Sequence, residues 1–577
     1  MLHFEKDSTK LFKTMKRFKS NIFSLGFAAA ALLSMTTGCA ESFLDVESKV
    51  ESNTENFYKT EGDAWRALLG CYDGWRQISS NPGVGIMVAA NVLSDECYGG
   101  TGANDGFGYQ AMDQFDQSVS PADQNIYEQD WKVYYAAVYR CNELCDHENQ
   151  INWEGESQNR GLYMGECRAI RALLYFDMVR MWGNIPLFLE AINENRTPND
   201  PAEVYAAIVE DMKYAIANIP GDANLSTSDN GRITKYAMEA MLARVYLYYT
   251  GYYGKDPGYT NAEGVTTGTL TKQEVLDGLD DIVKSGNFAL VPEFKNLWPA
   301  ASLVPLGADA WDPTLSTYAG QANSECMLQQ KFTPTQDYNG NGDSNRWLVM
   351  LGMRSLNFAP YGKGWGAATV CPSYANKFSA NDPRLTASVI NTAAEGVSAS
   401  SDYTNSVKDW REFTGLCIKK YSPIAFANGN NAWKEDGTTD FQTQNSQDYV
   451  LMRYADVLLM IAEMGGVPSK SAQEALDEVR SRAGMASVPV SKESVMEERA
   501  LELAFEGIRY WDLLRQGVDV LADAVCASAG PVQNAGNNAT VSYKREKIIE
   551  KNGLFQIPYN QIVLSNYTLK QNPGWEN

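Results

Sequence analysis

Histidine is nearly missing. The 577 residues include two, His3 and His147, so Ser-His-Asp triads, Cys-His pairs and His-rich metal sites have little to draw on. Basic charge is short as well: 49 Lys and Arg stand against 71 Asp and Glu, giving a formal charge of −22 and a pI near 4.7. Such a chain is repelled by a nucleic-acid backbone. Beyond the N-terminus no apolar run approaches the ~18 to 20 residues of a membrane-spanning helix. A disulfide framework is also lacking. After Cys39 come Cys71, Cys97, Cys141, Cys145, Cys167, Cys326, Cys371, Cys417 and Cys526, odd in number, scattered and mostly in apolar surroundings, which reads as buried thiols. At 44% apolar and 11% aromatic, the composition is that of a globular protein long enough for several domains.

The N-terminus speaks to the compartment. Lys6, Lys10, Lys13, Lys16, Arg17 and Lys19 precede an apolar run over 22–33, followed by Thr36-Thr37-Gly38-Cys39, the shape of a secretory signal peptide. Small residues directly before a cysteine point to a lipobox, with residues 1–38 removed and Cys39 lipidated, although Thr36 stands where Leu is usual. Met15-Lys16-Arg17 offers a second start, Met15 instead of Met1, with the same mature product. Several acyl chains on one cysteine make a stable anchor, so membrane contact is expected through lipid alone.

Helical periodicity dominates both ends of the mature chain. Between Gly161 and Trp182 the residues Tyr163, Cys167, Ile170, Leu174, Met178 and Met181 recur every three or four positions, an amphipathic helix that Gly183 and Pro186 terminate. Asp200-Pro201 with Glu203 opens the next helix. A third runs over 234–250, where Ala237, Ala240 and Ala243 allow close helix approach. Further helices are expected at 57–78, 126–148, 272–286, 449–464, 471–484 and 494–516. The expected fold is mainly α, with tetratricopeptide-like helical pairs at 39–287 and 448–577 and no strict 34-residue period.

Residues 288–447 read differently. They are rich in Gly, Asn, Asp, Pro and Trp without sustained period, so they read as a loop-rich insertion that folds over the helices and carries function. Trp298, Trp311, Tyr338, Trp347, Tyr361 and Trp365 fall here, and the stretch 95–100 leads to Asn104 and Tyr109. Aromatic rings beside Asn, Asp and Arg suit a sugar, because a pyranose offers an apolar face to a ring and a hydroxyl rim to planar polar groups. The plainer reading is that large rings pin loops to the core. Tyr98, Asn104, Trp311, Arg346, Trp347, Tyr361 and Trp365 are the candidate ligand contacts.

Several segments are familiar in order. Glu166-Cys167-Arg168-Ala169-Ile170-Arg171-Ala172-Leu173-Leu174-Tyr175-Phe176-Asp177, running on to Trp182-Gly183-Asn184-Ile185-Pro186-Leu187, resembles the signature of SusD/RagB-family outer-membrane nutrient-binding lipoproteins. Gly231-Arg232-Ile233-Thr234-Lys235, Leu451-Met452-Arg453-Tyr454-Ala455-Asp456, Glu498-Arg499-Ala500-Leu501-Glu502 through Glu506-Gly507 with Arg509 and Asp512, and Gln571-Asn572-Pro573-Gly574 are similar to the same family, as is the start at Cys39-Ala40-Glu41-Ser42. The resemblance covers essentially the whole mature chain. It implies a tetratricopeptide-like scaffold facing the cell exterior, and a SusC-type TonB-dependent barrel transporter as partner. On this reading the protein captures an oligosaccharide, is not an enzyme, and leaves transport to the barrel. A peptide-binding lipoprotein of the same architecture and a surface glycoside hydrolase are the alternatives.

Three motifs compete with that reading. Glu498, Glu502, Glu506, Arg509 and Asp512 lie at helical spacings, and paired carboxylates are the machinery of glycoside hydrolysis; with Arg499 at hand, a structural ion-pair network is expected instead. Asp337, Asn339, Asn341 and Asp343 match the opening of a calcium loop, but Leu348 stands where a bidentate Glu belongs. No cofactor is expected, with calcium the weak exception. Cys141, Cys145 and His147 are close in sequence, yet their spacing fits no zinc pattern and one helical face accounts for it.

Overall fold

Helix starts are written into the sequence as caps. Thr60 accepts the Asp63 amide while the Asp63 carboxylate accepts the Thr60 amide at 2.8 Å, opening helix Glu61–Ser80. Asp200 accepts the Ala202 amide at 2.8 Å ahead of Pro201–Asn218, and Thr234 and Thr271 cap Lys235–Tyr253 and Lys272–Ser285. Each cap satisfies amides that the first turn leaves without partners. The computed structural model describes residues 57–153, 159–303, 316–333, 342–356, 358–424, 441–443 and 445–576, and the unit from Tyr58 to Asn577 is compact.

The helices pack as sequential pairs. Glu61–Ser80 packs against Glu128–His147, Asn159–Trp182 against Pro201–Asn218, Lys235–Tyr253 against Lys272–Ser285, and Tyr454–Met464 against Ala472–Arg482, which is the tetratricopeptide-like arrangement. Asn159–Trp182 is buried along most of its length, with Met164, Ile170, Leu174 and Trp182 fully enclosed. It is the central helix of the first half. No helix among the described residues is long and apolar enough to cross a membrane.

Two expected helices differ. Residues 449–453 form a strand, Tyr449–Arg453, antiparallel to Cys326–Gln330, and the helix begins only at Tyr454. The stretch 494–516 divides into Lys492–Glu502 and Arg509–Leu514. Between them Phe505 takes φ 61 and Gly507 φ 74, and the Phe505 amide donates to Glu96 Oε1 at 2.8 Å. A contact spanning about 400 residues of sequence holds the break open.

The loop-rich insertion has its own core. Met353, Leu356, Tyr361, Ile390, Val397, Trp410, Phe413, Cys417 and Ile424 form one buried cluster, which is how a segment of short elements obtains enough burial to order its backbone. Two-stranded ladders stitch it together. Val389–Asn391 pairs with Leu416–Ile418, and Cys97–Gly100 pairs with Ala367–Val370, tying the first half to the insertion.

Charge is buried in balanced groups. Glu325, Glu498, Glu502, Glu506 and Asp382 interlock with Arg384, Arg453, Arg480, Arg482 and Lys420. Beside them Asp456, Glu463 and Asp512 pair with Arg244, Arg499 and Arg515, while Arg509 reaches away to Asp95 at 2.8 Å. The glutamates with helical spacing are thus the ionic interior expected for them, sealed from solvent.

Candidate functional site

Where the loop after Cys97–Gly100 meets the insertion, one guanidinium organises the surface. Arg354 donates from Nε to the Asp409 carbonyl and carboxylate at 3.0 Å, from Nη1 to the Trp365 carbonyl at 3.3 Å, and from Nη2 to Asp105 at 3.1 Å. It therefore fixes three chain segments at once. The close approach depends on Gly102, where a Cβ would lie 2.3 Å from Arg354 Nη2, and on Gly366, whose φ of 76 and 2.5 Å clearance from the Trp410 indole nitrogen exclude a side chain.

Aromatic rings stand around this node. Phe107 is exposed at 45% and rests on Arg411, whose guanidinium carbon is 3.8 Å from the ring centroid. Arg411 is held in place by donating to the carbonyls of Ala103 at 2.6 Å and Asp105 at 3.1 Å. Half-buried Trp365 has Arg346 at 5.0 Å from its centroid, and Phe441 has Lys363 at 4.4 Å. Burial pulls the Arg346 pKa down, and no carboxylate pairs with it among the described residues. The exposed Phe107 ring and the half-buried Trp365 belong to segments that also carry Asn104, Asp105, Ser355 and Asp409, which sets apolar surface next to fixed hydrogen-bonding groups. Among the described residues, the Asp105 and Asp409 carboxylates at this surface are both tied to Arg354.

Below the loop lies a layer of buried carboxyl groups. Glu412 accepts from the Gly100 amide at 3.2 Å and from Gln110 at 2.8 Å, and Asp113 accepts from the Tyr543 hydroxyl at 2.8 Å. Burial raises the pKa of both; the Glu412 carboxylate adds to the rise at Asp113, while the hydrogen bonds from Gln110 and the Gly100 amide oppose it at Glu412.

Three candidates gather at this surface: Asn104 is exposed on the Arg354-linked loop, and Arg346 and Trp365 form the stacked pair. Three others are corrected to core residues. Tyr98 is fully buried in the ladder with its hydroxyl donating to the Ser528 carbonyl. Trp347 is 0% exposed, edge-on to Tyr449 at 4.3 Å, and Tyr361 is buried in the insertion core with its hydroxyl on Glu395. None of the three offers a free ring face, because irregular stretches bury large rings for lack of regular packing. Trp311 and Cys39 lie outside the described residues, as do Asp337, Asn339 and Asn341 of the calcium motif. Its fourth member, Asp343, pairs with Arg76 at 2.5 Å. Phe107, Arg354, Asp409, Arg411 and Phe441 escaped the sequence reading; the one signal for Phe107 was its place three residues after Asn104.

A second concavity, a groove of about 690 Å³, lies on the helical side between Trp131, Tyr135, Tyr139, Phe188 and Leu564. It holds none of the candidate residues.

Comparison with known proteins agrees with the fold. A family model described as "SusD family" matches residues 325–575, and one described as "Starch-binding associating with outer membrane" matches 87–247. The chain is 24% identical to SusD-like protein P38 of Formosa agariphila over 534 residues, covering 87% of this chain and 92% of that protein, and 24% identical to SusD-like protein P2 of the same organism, covering 90% and 94%. Among solved structures, a laminarin-binding SusD-like protein is 25% identical with a TM-score of 0.66, covering 90% of this chain and all of that one. Surface glycan-binding protein A from Bacteroides thetaiotaomicron, in complex with laminarihexaose, superposes with a TM-score of 0.68 at 20% identity, over 89% of this chain and all of that one. Two SusD-type family models thus match separate stretches, 87–247 among the paired helices and 325–575 from within the loop-rich insertion onward, and over these stretches the chain is similar to SusD-family proteins.

Proposed function

We propose that the protein is a cell-surface glycan-binding lipoprotein, anchored through Cys39, that captures an oligosaccharide on the Phe107–Trp365 surface and delivers it to a SusC-type barrel transporter. The observation that carries this is the exposed Phe107 ring lying on a buried guanidinium beside Asn104, Asp105 and Asp409. The guanidinium below is fixed by two carbonyls, so the ring is held flat at little entropic cost to the ligand. The relatives include a laminarin-binding SusD-like protein and a glycan-binding protein seen with laminarihexaose, which makes a β-glucan oligosaccharide the first probe. The Asp105 and Asp409 carboxylates here are engaged by Arg354, and binding without cleavage is the expected activity.

Calorimetric titration with laminarihexaose, maltoheptaose and a set of short peptides tests the reading. Phe107→Ala and Trp365→Ala should each weaken binding of the responding oligosaccharide by ~1 to 2 kcal/mol, about 5- to 30-fold, while Tyr139→Ala in the helical groove leaves it unchanged. If both platform variants bind like the parent and Tyr139→Ala does not, the site is misplaced. Heat from peptides alone would favour the peptide-binding reading.

A further inference from the structure

Four of the nine cysteines that follow Cys39 converge at one point. Cys71 comes from Glu61–Ser80, Cys141 and Cys145 from successive turns of Glu128–His147, and Cys167 from Asn159–Trp182. The sulfurs of Cys71, Cys141 and Cys167 all lie within 4.8 Å of one another, each residue buried, and Cys167 Sγ is 3.9 Å from Cys71 Sγ and 3.9 Å from Cys145 Sγ. A tetrahedral site with Zn–S bonds of about 2.3 Å has sulfur–sulfur edges of about 3.8 Å. The two Cys167 distances match that edge.

We propose that Cys71, Cys141 and Cys167 hold a structural zinc that staples the first three long helices, with Cys145, whose sulfur lies 3.9 Å from that of Cys167, completing the set on metal binding. Cys71, Cys141 and Cys167 make a buried face of three ligands, and half-buried Cys145 takes the fourth position. A disulfide reading fits less well, since Cys167 touches two sulfurs alike and a bridge would use one and strand the rest. The Arg171 guanidinium beside the cluster is held by Asn142 Oδ1 at 2.9 Å and by both oxygens of Asp211. The chemistry selects a thiophilic d10 ion, because no carboxylate or imidazole belongs to the cluster. His147 is turned away. Its Nδ1 meets the Glu143 carbonyl at 2.8 Å and its ring stacks on Tyr58 at 4.3 Å. The site was invisible to spacing because half its ligands come from other helices.

Metal analysis of the full chain, made in zinc-replete medium and purified without chelator, tests this. The expected result is stoichiometric zinc, released in step with thiol modification by a mercurial reagent and lost to background in Cys71→Ser and Cys167→Ser. Cys417→Ser, a buried thiol of the insertion, should keep it. Should the serine variants fail to fold, the parent decides: the chain loaded with Co2+ in place of zinc should show the strong thiolate-to-cobalt charge-transfer band, and its absence overturns the site. Zinc retained by a folded Cys167→Ser, an adventitious ion only, overturns it too, as does a disulfide among these cysteines in the mass spectrum of the unreduced protein.

Discussion

Replacing Arg453 with Ala should cost about 3 to 5 kcal/mol of stability, the range for removing one partner of a buried ion pair, and lower the unfolding temperature measured by calorimetry. Arg453 donates to Glu506 Oε2 at 2.9 Å and Oε1 at 2.8 Å, to Glu502 at 3.0 Å and to Glu325, with 2% of its side chain exposed. Truncation takes one cation from each of three buried carboxylates, leaving Glu325 to Arg482, Glu502 to Arg384 and Arg482, and Glu506 to Lys420. The same network gives the hydrolase reading its sharpest test. Glu502→Gln should lower stability, since Glu502 is held by Arg384, Arg453 and Arg482; sugar release by the parent that Glu502→Gln abolishes while staying folded would instead mean these acids do chemistry.

Stability should also fall as pH rises from mildly acidic to mildly alkaline. Glu96 is fully buried, accepts from the Phe505 amide at 2.8 Å and the Tyr374 hydroxyl at 3.2 Å, and has its pKa pushed up to about 8 by burial. The folded chain then holds a proton that the unfolded chain releases above the ordinary Glu value near 4.5. The contribution is full below that value and is lost as pH climbs toward 8, on the order of 4 kcal/mol for this group. Asp113 and Glu412 beneath the loop are raised in the same direction. Asp116 has the opposite sign. Although partly buried, it is held at about 2 by Lys547 and Ser118, so its contribution disappears only in strong acid. Thermal scans from about pH 5 to about pH 9 should show a declining unfolding temperature, with Glu96→Gln flattening the decline. A rising curve would contradict the burial of Glu96 as a neutral acid.

Much of the scaffold was legible because its signals are local. Asp200-Pro201, Thr234 and Thr271 cap helices within four residues of themselves, and the apolar stripe of 159–182 needs no partner to be read. What escaped depends on distant contacts. The strand at Tyr449–Arg453 is an apolar run too short for its period to distinguish from a helix, and it is settled by pairing with Cys326–Gln330. The break at Phe505 is set by Glu96.

The site was legible in part for a related reason. Asn104, Arg346 and Trp365 meet at the surface, but nothing local distinguishes their neighbours Tyr98 and Trp347, which turn inward. In irregular backbone, side-chain direction has no period. Arg354 and Arg411 earn their place only through contact with a loop some 250 to 300 residues earlier in the chain. The aromatic reading named Trp365, which lies at the proposed surface, together with Tyr98, Trp347 and Tyr361, which are buried.

The most direct test of the account is a screen of the chain without residues 1–39 against arrayed polysaccharides, oligosaccharides and peptides, with the carbohydrate analysed afterwards for cleavage. Saturable binding to a glycan class, recovered at its original length, is the predicted result. Binding to peptides and to no glycan, or recovery of shortened sugar, would contradict it.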